Sequence, residues 1–85
     1  MTEREVIVKI PTGLHAQPAF SFVETANRFK SGIMITCEGH KASAKSVLSI
    51  LALGAFQGSV VQISAHGEDE NLAVEALDRF LTGDT

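Results

Sequence analysis

The run Gly13-Leu14-His15-Ala16-Gln17-Pro18-Ala19 holds the residues best suited to chemistry. It places a histidine between an alternating apolar segment and a segment of helical periodicity. Pro18 suits a first helical turn, where its missing N–H costs little and its φ is already near the helical value. The free amides of that turn carry the positive end of the helix dipole and form a ready anion site. An imidazole at that point can act as a nucleophile, and backbone N–H donors of Ala16 and Gln17 would hold the group it captures. A phosphoryl group fits that description.

The remaining chemistry-bearing side chains are few. Cys37 reads as a small strand residue, and His40 and His66 as solvated residues at turns. With His15 they show no metal-ligand spacing, which argues against a zinc site. Ser46 reads as a helix N-cap.

The elements that must position His15 follow from the apolar pattern. Glu5 to Ile10 alternates, with Val6, Val8 and Ile10 on one face, which predicts a first strand. From Ala16 to about Phe29, Ala19, Phe22, Val23, Ala26 and Phe29 recur at helical spacing, and Phe20 lies about 100° from Ala19 at the edge of that stripe. Lys30-Ser31-Gly32 is expected to end the helix, with Gly32 in a left-handed position. Ile33 to Cys37 reads as a strand, Glu38-Gly39-His40 as a tight reversal, and Lys41 to Ser43 as the returning strand. A short helix is expected from about Ser46 to Leu53, stopped by Gly54. It carries Val47, Leu48, Ile50, Leu51 and Leu53, more than one buried face can hold. Either the surplus around Leu48 forms an exposed partner patch, or neighbouring loops cover both sides of the helix. Ser59 to Ala65 alternates again, and His66-Gly67 turns the chain. Glu68-Asp69-Glu70 complements the positive end of a last helix, with Leu72, Ala73, Ala76, Leu77 and Phe80 at helical spacing and fraying at Thr82-Gly83. The order β-α-β-β-α-β-α predicts an α+β fold of two layers, its helices on one side of an antiparallel sheet.

Composition narrows the class of function. Eighty-five residues, 45% hydrophobic and 20% charged, suit one globular domain over residues 1–85. The N-terminal run Met1-Thr2-Glu3-Arg4-Glu5 lacks the order of a signal peptide, and no apolar run reaches membrane-spanning length. With Cys37 alone, no intramolecular disulfide forms, and a cytoplasmic location is expected. The net charge of −3 and the absence of Trp and Tyr argue against nucleic acid as a partner.

The chain resembles the histidine-containing phosphocarrier proteins (HPr) of the bacterial phosphoenolpyruvate-dependent sugar phosphotransferase system. The likeness covers essentially the whole chain and rests on Gly13-Leu14-His15-Ala16 with Pro18-Ala19, on Ala44-Lys45-Ser46, on Leu53-Gly54 and on Gly67-Glu68-Asp69-Glu70. It implies an open-faced β-sandwich in which three helices cover one side of a four-stranded antiparallel sheet. It further implies that His15 accepts a phosphoryl group on Nδ1 from phosphorylated enzyme I and passes it to sugar-specific enzyme IIA. The protein would then be a phosphoryl-transfer intermediate, not an independent catalyst, and the resemblance implies no metal or organic cofactor of its own. Imidazole suits the task, being neutral near pH 7, nucleophilic and a good carrier of a transferable phosphoramidate. Phe20, Val47, Leu48 and Leu51 would form the partner surface. Ser46 matches the serine that a regulatory kinase (HPr kinase) modifies in many Gram-positive members, and a charge of about −1.5 to −2 there would weaken docking onto an acidic partner.

One position departs from the family pattern: Gln17 stands where the family has an arginine beside the histidine. Hence a second reading, a catabolite-repression type module that binds a transcription regulator through phospho-Ser46, with weak carrier activity. Members specialised in that way lack the active histidine, whereas this chain keeps it. A third reading is a degenerate paralogue with neither activity. Nothing in the sequence demands more than a monomer.

Overall fold

The computed structural model describes residues 1–83. Its elements are β1 (Thr2–Ile7), α1 (Gln17–Ala26), β2 (Gly32–Cys37), β3 (His40–Ser43), α2 (Val47–Leu53), β4 (Val60–His66) and α3 (Glu70–Thr82). The four strands form one antiparallel sheet in the order β1-β4-β2-β3. The expected order of elements and layers is the observed one.

The register aligns the apolar faces. Ile63 lies opposite Arg4 on one side and Ile35 on the other, and Ile35 lies opposite Ala42. Ile33, Ile35, Cys37, Val61, Ile63 and Ala65 are therefore buried on the helix-covered face, as period-two side chains require. The reversal between β2 and β3 has positive φ at both Glu38 (49°) and Gly39 (82°), the two-residue turn whose twist matches a hairpin. Across the core, Phe22 of α1 meets Phe80 of α3 edge-on, with ring centroids 5.7 Å apart.

Several expectations from the sequence shift. The first strand ends at Ile7, not Ile10, because the amides of Lys9 and Ile10 turn away from the sheet to the Leu81 carbonyl (2.8 and 3.3 Å). Val8, buried, still exchanges backbone bonds with the segment before β4, donating to the Ser59 carbonyl (2.9 Å) and accepting from the Gly58 amide (2.7 Å). The first helix starts at Gln17, with Ala16 as its N-cap, and stops at Ala26. There the side-chain amide of Asn27 donates to the Val23 carbonyl (3.0 Å), a local bond that competes with further helix. Gly32 is not a left-handed cap; it opens β2. The Asp69 carboxylate does the capping instead, accepting from the amides of Lys30 (2.9 Å) and Ser31 (3.0 Å) and from the Ser31 hydroxyl. Finally, α3 buries Ala73, Val74, Leu77 and Leu81, while Leu72 is 65% exposed and Ala76 and Phe80 are half-buried. Its apolar arc is wider than its contact with the sheet, so packing selects one edge of it.

Two acids at the start of α3 tie the N-terminal and 30–31 segments down. Bonds from the Ser31 hydroxyl and the Lys30 amide hold the Asp69 carboxyl at about 2, below its ordinary 3.8. Glu70 accepts from the Thr2 hydroxyl and the Gly67 amide and sits 3.1 Å from the terminal ammonium, which lowers its carboxyl to about 2 from 4.5.

Candidate functional site at the entrance to the first helix

The site is assembled by two loops that the sequence keeps far apart. Gly13 has φ +64°, and a Cβ there would stand 2.5 Å from the Ala55 carbonyl oxygen and 2.6 Å from the Phe56 Cα. Only glycine permits that approach. Leu14 follows, fully buried, and donates its amide to the Ala55 carbonyl (2.9 Å). With Leu14 anchored inward, His15 emerges half-buried at the surface.

The imidazole lies almost flat on Phe56, with centroids 5.3 Å apart and planes 19° from parallel. Its Nε2 is buried and has no hydrogen-bond partner. Nδ1, by contrast, is not a buried unpartnered atom, which leaves it as the candidate to meet an incoming group. Phe56 is itself held: its amide donates to the Ser59 hydroxyl (3.0 Å), and the Gly58 amide donates to the Val8 carbonyl (2.7 Å).

Ala16 connects His15 to the helix at φ 53° and ψ −134°, a conformation that a residue with a side chain avoids. The unusual backbone turns the chain sharply into α1, with Pro18 in the first turn. The Ala19 amide is used by the Ala16 carbonyl (3.1 Å), and the amides of Ala16 and Gln17 donate to no other backbone group among the described residues. No acidic side chain occupies the first turn. The mouth of α1 therefore combines unsatisfied N–H donors, a favourable dipole and a nearby imidazole, an arrangement able to hold an oxyanion against a nucleophilic nitrogen. The Gln17 side chain is exposed and can add a neutral donor.

The other sequence-derived residues divide. Phe20 and Leu48 are exposed, at 53% and 80%, so the apolar surplus of the short helix does leave a residue uncovered. Val47 and Leu51 are half-buried and lean on the core, which makes them supports with only an edge in solvent. Ser46 caps α2, its hydroxyl accepting from the Ser49 amide (3.3 Å), while Gly54 ends that helix at φ 70°. Phe56 was not singled out by periodicity. The available signal was an aromatic in the Gly54–Gly58 loop that no helical or strand stripe could claim. On the other flank of Gln17, a shallow apolar groove of about 330 Å³ runs between Pro18, Ile10 and Phe80. Among the described residues no three His, Cys, Asp or Glu side chains converge as metal ligands would, and no helix is long and apolar enough to cross a membrane.

This geometry sits in a chain with clear relatives. A family profile described as "PTS HPr component phosphorylation site" matches residues 2–83. The phosphocarrier protein HPr of Buchnera aphidicola subsp. Baizongia pistaciae is 45% identical over 82 residues, covering 96% of each chain. The HPr-like protein Crh of Halalkalibacterium halodurans is 44% identical over 81 residues, covering 95% of this chain and 96% of its own. The crystal structure of HPr-C-His from Thermoanaerobacter tengcongensis superposes with a TM-score of 0.94 at 43% identity, over 99% of this chain and 94% of that one. A profile match from strand β1 to the end of α3, with the same fold throughout, shows that the chain belongs to the PTS-HPr family.

Proposed function

We propose that the protein is a phosphocarrier in which His15 takes a phosphoryl group from phosphorylated enzyme I and hands it to sugar-specific enzyme IIA. The observation that carries this reading is the half-buried His15 ring beside the unsatisfied amides of Ala16 and Gln17. In the step, the Nδ1 lone pair forms a bond to phosphorus as the donor's bond to phosphorus breaks, and that electron pair leaves on the donor. The proton on Nε2 stays in place. The phosphoryl oxygens gain the two backbone donors, whose bonds to a charged group contribute about 1.5–3 kcal/mol each. Transfer to the next acceptor reverses the same displacement. Phe20 and Leu48, with the edges of Val47 and Leu51, supply the apolar surface on which partners dock, and the protein acts as a monomer in the cytoplasm.

A regulatory module acting through phospho-Ser46 is the second reading. Gln17 favours it, because the neutral side chain removes the cation the family places beside the phosphoryl group. So does the likeness to an HPr-like protein Crh at an identity close to that of the phosphocarrier.

One assay separates them. Incubation with enzyme I and phosphoenolpyruvate is expected to add one acid-labile phosphoryl group that His15→Ala abolishes. An acid-stable group on Ser46, formed with a kinase and ATP and with no His15 labelling, would reverse the order of the two readings.

A further inference from the structure

We infer that the surface around His15 fits a phosphoryl-transfer partner whose docking face is apolar at its centre and basic, not acidic, where it meets Glu24. This partner chemistry presupposes the carrier reading above.

The two helices beside the histidine are almost free of charge. α1 follows His15 directly, and α2 leads into the loop that carries Phe56. α2 has no ionisable side chain, and α1 has one, Glu24. Gln17, Phe20 and Glu24 are exposed and recur at spacings of three and four, so they share one face of α1. Phe20, Leu48 and Phe56 are the exposed apolar side chains of these elements, and Phe56 lies against the imidazole itself. A partner seated there removes mainly apolar surface from water, as the centre of an interface does.

Glu24 is the one fixed charge on that face, and nothing nearby neutralises it. The cation nearest along the chain, Arg28, lies beyond the end of α1, and the ion pairs among the described residues leave Glu24 out. Lys45, just before α2, is half-buried, with its ammonium bound to the Phe29 carbonyl (2.7 Å). Nor does the helix account for Glu24. It stands in the last turn, where the dipole is negative and a carboxylate is unfavourable. An unpaired negative charge beside an apolar docking face attracts a cation on the partner and repels a carboxylate. The acidic docking face that the family resemblance implies is the one this surface suits least.

Transfer from phosphorylated enzyme I of the same organism, followed as acid-labile label on His15 at about 20 mM and about 500 mM NaCl, tests this. At low salt Glu24→Lys is expected to lower kcat/KM about threefold to tenfold and Glu24→Gln by a smaller factor, both differences closing at high salt. The wild-type value should change less than about threefold between the two salts, as one charge pair allows. Lysine favours the last turn of a helix, so the variant keeps the fold. A Glu24→Lys protein faster than the wild type at low salt would reveal an acidic partner face and overturn the inference. Equal rates in all three proteins, or a slowing that persists at high salt, would overturn it as well. A wild type that takes no label at either salt brings down the carrier reading together with the inference, whereas labelling in the wrong order of rates sinks the inference alone.

Discussion

Gln17 is the first residue of α1, two positions after His15, and its side chain is exposed. A neutral donor there contributes less to a phosphoryl oxygen than a cation would, by about 1.4 kcal/mol or one factor of ten in rate. Gln17→Arg should therefore speed acid-labile labelling by roughly tenfold; a rate equal to or below the wild type would contradict the account of the missing charge. The neighbouring residue makes a different kind of prediction. Ala16 holds φ 53° and ψ −134°, a region costing about 1–3 kcal/mol for a residue with a side chain. Glycine relieves that cost but adds about 0.5–1 kcal/mol of unfolded-state entropy. Ala16→Gly should raise stability by about 1 kcal/mol in urea unfolding, and a loss of stability would show that the turn is unstrained. Both residues stand out in the sequence, but apolar periodicity puts Ala16 inside the helix, because no pattern of residue types reveals a backbone angle.

The short helix α2 shows how an element is set by its ends. Ser46 supplies the N-cap bond to the Ser49 amide, and Gly54 supplies the left-handed exit. Between them lie seven residues, too few to be stable without capping and tertiary contact. Ser46→Ala should cost about 1 kcal/mol in chemical denaturation, whereas Ser46→Asp, which keeps a capping oxygen, should cost less; equal losses would mean that the cap contributes nothing. These caps were legible as residue types at the right spacing. The end of α1 was not, since it depends on Asn27 folding back onto Val23 and on Asp69 arriving from α3 to cap the 30–31 amides.

At the scale of the molecule, α3 closes the structure by gathering β1 and the 30–31 segment through Asp69, Glu70 and the Arg4–Asp78 pair. Asp69 and Glu70 each have a folded-state pKa of about 2, against ordinary values of 3.8 and 4.5. Between those limits the unfolded chain binds more protons than the folded one, so the stabilisation is complete above about pH 4.5 and is lost as the pH falls through 2. Thermal unfolding followed from pH 6 to 2 should show this acid limb, and Asp69→Asn should flatten it; an unaltered limb would assign the effect to other groups. The sequence alone determined the order of elements, the inward faces of the strands, the caps of α2 and the placing of His15 at a helix entrance. Each of these is written in neighbouring residues, as a period, a cap or a turn. Only the tertiary structure decided which edge of the wide apolar arc of α3 is buried, where β1 leaves the sheet, and that Phe56 seats the imidazole. Those outcomes arise from packing between segments distant along the chain, where contact geometry rather than local preference selects among faces that periodicity leaves equivalent.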